Sequence, residues 1–498
     1  MRFIDLPADP LLTIFLDLDV EDVLALKQSC RILNEIGSLD YLWHKLVRTC
    51  DLPLDLPLGA DSATLSGQEL QAIVVKALKL DHHWRKPDAY IRRVIPIIHS
   101  DTSYVDSFHL LPGGKWLVTT HHTHIIGDSD GGQCTDLTLW CLDDITSPRV
   151  IKTILIHDRA TSCRAYYQPA QRTFSVAVAL SKGDISGCVE VYRISLDNPA
   201  VSIRGCEPLM FHPVASDGPQ ESSLRIDKLR IHEDILGVIF IQLLPTGYHQ
   251  LPRRMVHVYL YNLVTGASAT FKAYHGSDDY FELFRDQYAL ARYDPPEPIV
   301  SFYDIPSFIV SANLDSEAPA NNEPDPSTMS EGLFSARCSL SHDSSFSAYR
   351  GASSGIIEHG VPVFNTLMFN VWGCTGKTDR FSPPDRETRF SGYTTITSEV
   401  FHLGNNDGAS HQFYYLQLGA TGRRAVWVEF QGGIKFRKWS ASRHYHGENP
   451  SAGVSVFMPP TTGLPFDKED IFWIAFDEAT CRLCVGLRTG ELYVCDFL

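Results

Sequence analysis

Apolar residues fall at helical spacing through the first fifty positions. Leu11, Leu12, Phe15 and Leu16 follow the Leu6-Pro7 entry, and Val20, Val23, Leu24 and Leu26 come next, with Val23 and Leu26 on one face. A third set is Ile32, Leu33 and Ile36, and a fourth is Leu39, Leu42, Trp43 and Leu46. Pro7 suits a helix entry and Pro10 a first turn, because a fixed φ and a missing N–H cost nothing there. Glu21 and Asp22 sit where the second helix dipole favours negative charge, Ser29 is placed to cap the third helix and Gly37 to end it. Four helices in so short a span have too little interior for all these side chains, each worth roughly 1.5 to 3 kcal/mol when buried. Either a partner supplies the missing core or the helices form a cap on the rest of the chain.

The pattern then changes twice. After a loop rich in Pro, Asp and Gly from Asp51 to Ala63, Ser66 and Glu69 have capping-box spacing, and Leu70, Ile73, Val74, Ala77 and Leu78 recur at helical intervals. The spacing predicts a linker helix over about 66–80, ending before Trp84 and Pro87. From about residue 90, short β-branched and aromatic runs alternate with Gly, Pro, Asn and Asp, the pattern of an all-β region. One six-residue string recurs: Leu137 to Leu142, Val189 to Ile194, Val258 to Leu263 and Val300 to Ile305, with looser versions at Thr366 to Val371, Val426 to Phe430 and Leu492 to Phe497. The last part reads as a meander, Ile471 to Phe476, Arg482 to Leu487 and Glu491 to Val494, with turns at Asp477-Glu478 and Thr489-Gly490.

A repeated unit of a few antiparallel strands, each unable to bury its face alone, predicts a β-propeller of about seven blades. A ring must close, and Ile91 to Ile98 is the candidate strand to complete the blade that ends at Leu498. The fold class expected is therefore α+β multidomain. An all-α unit spans 1–50, a linker 51–90 and an all-β, propeller-like domain 91–498. A flexible polar insertion is expected at about 312–332, where almost no apolar residue occurs.

Composition narrows the function. A net charge of -16 opposes general nucleic-acid or anionic-membrane binding, which relies on basic surface. No run of about 18 apolar residues occurs, so no transmembrane helix is expected, and Asp5 and Pro7 stand where a secretory signal would be apolar. Twelve scattered cysteines fit reduced buried thiols. The expected setting is intracellular, in cytoplasm or nucleus.

The N-terminal segment resembles an F-box. The family pattern of an aliphatic residue before Leu-Pro, paired leucines, Ile-Phe, Leu-Asp, a Val/Leu helix, Cys-Arg and Leu-Trp is matched by Ile4, Leu6, Pro7, Leu11, Leu12, Ile14, Phe15, Leu18, Asp19, Val20, Asp22, Val23, Leu24, Leu26, Cys30, Arg31, Leu42 and Trp43. Ala8-Asp9-Pro10 departs from it, a Glu before the leucine pair being more usual. The recurring β string is similar to the strand signature that WD-repeat proteins carry in fourth position, although its starts, 42 to 69 residues apart, imply longer blades with long loops.

What the F-box resemblance implies is a substrate-recognition subunit of an SCF-type cullin-RING ubiquitin ligase. It would bind a Skp-family adaptor, and through it a cullin, while the propeller holds a protein substrate not named by the sequence. No catalysis or cofactor is expected. The adaptor interface implied is Leu6, Pro7, Leu11, Leu12, Ile14, Phe15, Leu18, Val23 and Leu26, with Trp43 in the core. Alternatives are a non-degradative F-box and propeller scaffold, or a propeller enzyme or metal-dependent lectin.

Other chemistry is thinly signalled. His122 and His124 share a face of an extended segment beside His121, with Asp128 and Asp130 near, but a further zinc ligand is lacking and a solvated turn is expected. Cys481 and Cys484 lack a second pair and should pack into different layers. Gly351 to Gly355 matches G-x-S-x-G without the strand-to-helix setting of a hydrolase elbow, and reads as a Gly/Ser loop. Arg423, Arg424, Lys435, Arg437 and Lys438 offer a basic spot for an acidic motif or, as the plainer account, scattered solvated charges.

Overall fold

The computed structural model describes residues 6–50, 52–57, 60–86, 91–98, 103–124, 133–182, 186–198, 202–204, 207–211, 223–244, 253–273, 280–292, 299–310, 334–339, 349–358, 361–370, 375–382, 394–402, 412–430, 434–441, 456–457 and 464–497. The insertion expected at 312–332 lies outside them. Four short helices come first: α1 (Ala8–Asp17), α2 (Val20–Lys27), α3 (Arg31–Gly37) and α4 (Asp40–Thr49). Cys30, not Ser29, occupies the N-cap of α3. The Ser29 hydroxyl instead donates back to the Leu26 carbonyl at 2.7 Å, finishing α2.

The linker helix α5 (Gly67–Arg85) starts with the expected capping box. Glu69 N donates to Ser66 Oγ at 3.3 Å, and Ser66 N donates to Glu69 Oε2 at 2.8 Å. Its end differs from expectation: the helix runs past Leu80 to Arg85, so Trp84 belongs to it. The restriction that Pro87 imposes falls on Lys86, whose ψ of 135° is extended, and the helix uses every residue before that point.

The β region forms seven sheets among the described residues. Their first, innermost strands are Ser103–Leu110, Arg159–Gln168, Ser223–His232, Tyr280–Leu283, Tyr349–Glu358, Gln412–Leu418 and Ile471–Asp477. Each packs on the next and the seventh returns to the first, which makes a seven-bladed propeller. An apolar cluster fills each of the seven seams between blades, for example Leu137, Leu139, Cys163 and Phe174 between blades 1 and 2. In the seam between blades 4 and 5, Gly355 passes under the Phe284 ring, where a Cβ would lie 2.8 Å from Cζ.

The ring closes as the terminal strings suggest. Arg93–Ile98 pairs antiparallel with Leu492–Asp496, Arg93 opposite Asp496 and Ile95 opposite Val494, and becomes the outer strand of blade 7. Ile97, Ile98, Leu492 and Val494 then share a cluster with Val105 and Phe108 of blade 1.

The recurring string does not occupy the fourth position. It lies in the third strand of blades 1 to 4 and 7, as in Gln133–Cys141, and in the second strand of blades 5 and 6, Val361–Asn370 and Arg424–Phe430. These are the central strands, covered on both faces, and such strands read as near-continuous apolar runs. In blade 6 the second strand holds Val426, Trp427 and Val428, while the third holds buried Arg437 and Lys438. In blades 5 and 6 the string falls in the second strand because the third, Thr375–Ser382 or Ile434–Ser440, carries the buried charges.

Removing residues 491–498 should abolish soluble folding, because it strips the strand that closes the ring and exposes one face of two seams. Recovery of a soluble product with native near-UV circular dichroism would contradict the closure.

Candidate partner-docking site

The helices α1 to α4 build one small core. Leu11, Phe15, Val23, Leu33, Ile36, Leu42, Trp43 and Leu46 are buried in it together with Leu70 and Val74 of α5. The missing interior is thus supplied in part by this chain's own linker helix. Trp43 is fully buried, its Nε1 donating to the Gly37 carbonyl at 2.8 Å with Lys27 Nζ 5.5 Å from the ring centroid. α4 and α5 approach closely at Gly67, whose N–H donates to Asp40 Oδ1 at 2.8 Å; a Cβ there would meet the Asp40 Cα at 2.7 Å.

This divides the nine residues implied as an adaptor interface. Leu11, Phe15 and Val23 are 1%, 0% and 0% exposed, so no partner reaches them without opening the helices. Leu6, Leu12, Ile14, Leu18 and Leu26 are half-buried and Pro7 is exposed. Ile4 lies outside the described residues. Sequence reasoning missed three members of the accessible apolar surface, Ile32, Leu39 and Tyr41, at 46%, 44% and 53% exposure. For Tyr41 the signal was present, since it is out of phase with the buried Leu42 and Leu46; Ile32 is spaced i,i+4 from the buried Ile36 and gave none.

The other end of α5 enters the propeller. Leu80 and Trp84 join the cluster between blades 6 and 7, and Trp84 stacks on Phe476 at 5.5 Å and meets Phe497 edge-on at 5.4 Å. Trp84 Nε1 donates to the Trp439 carbonyl at 3.2 Å, and Arg85 Nη2 to the Ala441 carbonyl at 2.8 Å. Two of the basic residues of blade 6, Arg424 and Lys438, close this socket, so for them neither a surface spot nor scattered solvated charge holds. Arg424, 1% exposed, pairs through Nη2 with Asp81 Oδ1 at 3.0 Å and donates through Nη1 to the Glu478 carbonyl at 2.9 Å. Lys438 Nζ donates to the Trp84 carbonyl at 2.5 Å and sits 5.0 Å from the Trp84 ring centroid, while Arg437 pairs with buried Glu429. Lysine and arginine caps on the last carbonyls also favour a helix C-terminus. The Lys435 side chain lies outside the described residues.

Glu478 fastens blade 7 to blade 6 next to the socket. Its carboxylate accepts the backbone N–H groups of Thr421, Arg423 and Arg424, each at 2.7 Å. Three charge-assisted bonds oppose the cost of burial, which still holds this carboxyl above its usual range.

Of the remaining candidates, His121 and His122 lie on the strand Trp116–His124, with His122 buried, and not on the solvated turn expected. His122 Nδ1 bonds Asp106 Oδ2 at 2.8 Å and His121 Nε2 lies 3.6 Å from Asp136, while the His124 side chain, Asp128 and Asp130 are outside the described residues. Among the described residues no group of three His, Cys, Asp or Glu could hold a metal. Cys481 and Cys484 are buried in different clusters, and burial pushes both thiols up to about 12. Gly351 to Gly355 is not a loop but part of the inner strand of blade 5, with Ser354 Oγ donating to the Gly419 carbonyl at 2.6 Å.

Arg424→Met should destabilise the chain by about 3 kcal/mol, because it removes the buried guanidinium that pairs with the buried Asp81 carboxylate. Adding Asp81→Leu should restore most of the loss; thermal melting of both variants checks this.

Residues 3–49 match the F-box-like family model. No curated protein matches the chain. Solved structures that resemble it are the β-propeller domain of the Trilobed protease from Pyrococcus furiosus, at 11% identity over 80% of this chain and 95% of that one with a TM-score of 0.36, and the WD40 domain of SCAP from fission yeast, at 9% identity over 81% and 98% with a TM-score of 0.40. The α-L-arabinanase of Penicillium chrysogenum is similar at 10% identity over 82% and 98%, with a TM-score of 0.34. With its helices, its family match and its closed ring of blades, the chain is an F-box-like domain followed, through one linker helix, by a seven-bladed β-propeller.

Proposed function

We propose that this protein is the substrate-recognition subunit of an SCF-type cullin-RING ubiquitin ligase, with a Skp-family adaptor on the F-box-like helices, a cullin beyond it and a target protein on the propeller. The observation that carries this reading is the F-box-like domain at residues 3–49, with its accessible apolar residues, joined to the ring by a helix buried at both ends. Pro7, Leu12, Ile14, Leu18 and Leu26, with Ile32, Leu39 and Tyr41, supply the apolar contacts. Leu11, Phe15 and Val23 support them from within.

The geometry suits a presenting device. α5 reaches from Leu70 in one core to Trp84 in the other, a rise of roughly 20 Å, so adaptor and target would be held at a set separation. The helix docks on the face where the inner strands end, at the Asp477-Glu478 turn. The opposite face, where those strands begin, exposes Tyr104, Phe472 and Trp473. Aromatic residues on such a rim suit protein contact. On this reading the chain performs no bond chemistry itself.

Co-expression with a Skp-family adaptor tests the proposal. Leu12→Asp/Ile14→Asp should lower adaptor recovery at least tenfold, a loss of about 1.4 kcal/mol or more, while near-UV circular dichroism of the propeller is unchanged. Folded wild-type protein that captures no adaptor would end the ligase reading. Capture of adaptor without cullin and ubiquitin transfer would favour the non-degradative scaffold.

A further inference from the structure

The seven inner strands enclose a central channel, and His109, Arg164, Arg230 and Glu282, inside the span of their strands, are part-exposed. Across blades 1 to 4 several polar groups stand at one level. Ala165 N donates to His109 Nδ1 at 3.0 Å, which sets the preceding residue, Arg164, beside His109. Tyr166 packs on His232 with ring centroids 5.1 Å apart, so Arg164 and Arg230, two residues back on neighbouring strands, are level. Arg230 forks onto Glu282, Nε to Oε2 at 3.1 Å and Nη2 to Oε1 at 2.9 Å.

Among the described residues the charges do not balance. Arg230 occupies both oxygens of Glu282. Arg164 donates through Nη1 to the carbonyl of its neighbour Cys163 at 2.8 Å and has no ion pair among the described residues. Burial, with the two guanidinium charges, holds His109 well below the usual imidazole range, so it is neutral at pH 7. Burial and then the charge of Arg230 push Arg164 down to about 10, where it still keeps its proton at neutral pH. Two guanidinium charges thus face one carboxylate in an enclosed space, where a charge interaction is worth more than at an open surface.

We propose that Arg164, with Arg230 beside it, forms an oxyanion-binding site inside the central channel, taking a small phosphate or carboxylate group on the free edge of the Arg164 guanidinium. The planar fork of an arginine matches two oxygens of such a group. Glu282 keeps Arg230 from competing for the ligand and sets the selectivity: it repels an anion that approaches beyond Arg164, so the site accepts one group and not a polyanion. The site is separate from the F-box-like helices, and the proposal stands whatever partner those helices bind.

Thermal melting of the full chain in sodium phosphate, acetate and chloride, at matched pH and ionic strength, tests it. Phosphate strengthens burial in any protein, so the readout is the difference between wild type and Arg164→Met. Wild type should gain roughly 2 °C more than the variant in phosphate or in acetate, and whichever salt produces the gain identifies the group. Glu282→Gln, which frees Arg230 without removing Arg164, should reach the same gain at several-fold lower phosphate or acetate. Equal gains in wild type and Arg164→Met would overturn the proposal. If Arg164→Met does not fold, an unchanged concentration dependence in Glu282→Gln would overturn it equally.

Discussion

The burial of the last turn of α5 between blades 6 and 7 is the constraint on which the arrangement depends. Burying a Trp side chain is worth roughly 4 to 6 kcal/mol as an upper bound from area, and Trp84 achieves it only because its polar surroundings are met. Its indole N–H reaches the Trp439 carbonyl, Lys438 takes its backbone carbonyl, and Arg424 neutralises Asp81 one turn earlier. Without Asp81, Arg424 would be a buried cation relying on carbonyls. Without Arg424, Asp81 would be a nearly fully buried carboxylate. Each stabilises the other in the seam, and Arg85 places a second cation beside Asp81.

That pairing couples the two parts of the molecule mechanically. A surface linker would let the helical unit swing, and relative motion is the default for domains joined by small interfaces. Here one helix contributes Leu70 and Val74 to the first core and Leu80 and Trp84 to the second, so it cannot bend or roll without opening one of them. Glu478 binds the backbone of blade 6 from blade 7 beside this socket, and the seam that receives α5 is tied across by that carboxylate as well as by apolar packing.

Much of this was legible in the residues. Helical periodicity located α1 to α4, Ser66 and Glu69 announced the start of α5, and the apolar strings counted the blades because each sheet has a central strand covered on both faces. Two kinds of feature were not legible. The place of a string within its blade, second strand or third, was one: nothing local distinguishes Val426 to Phe430 from Leu137 to Leu142. The basic residues of blade 6 read as solvated because sequence prices a Lys or Arg by its usual exposure, whereas Lys438 and Arg424 are held inside by partners 343 to 354 residues away. The division of the interface candidates into buried and accessible members was not legible either, because Leu11, Phe15 and Val23 are covered by the packing of α1 to α4 on one another.

The strand that closes the ring also sets an order in time. Residues 93 to 98 are synthesised immediately after α5, but their partner, Leu492–Asp496, is made about 400 residues later. At 5 to 20 residues per second that is an interval of roughly 20 to 80 s. Throughout it the closing strand has no edge to pair with, and Trp84 has no seam to enter, since blades 6 and 7 are the last to be completed. A ribosome that stalls in the final blade therefore leaves finished F-box-like helices attached to a helix whose far end has nowhere to bind.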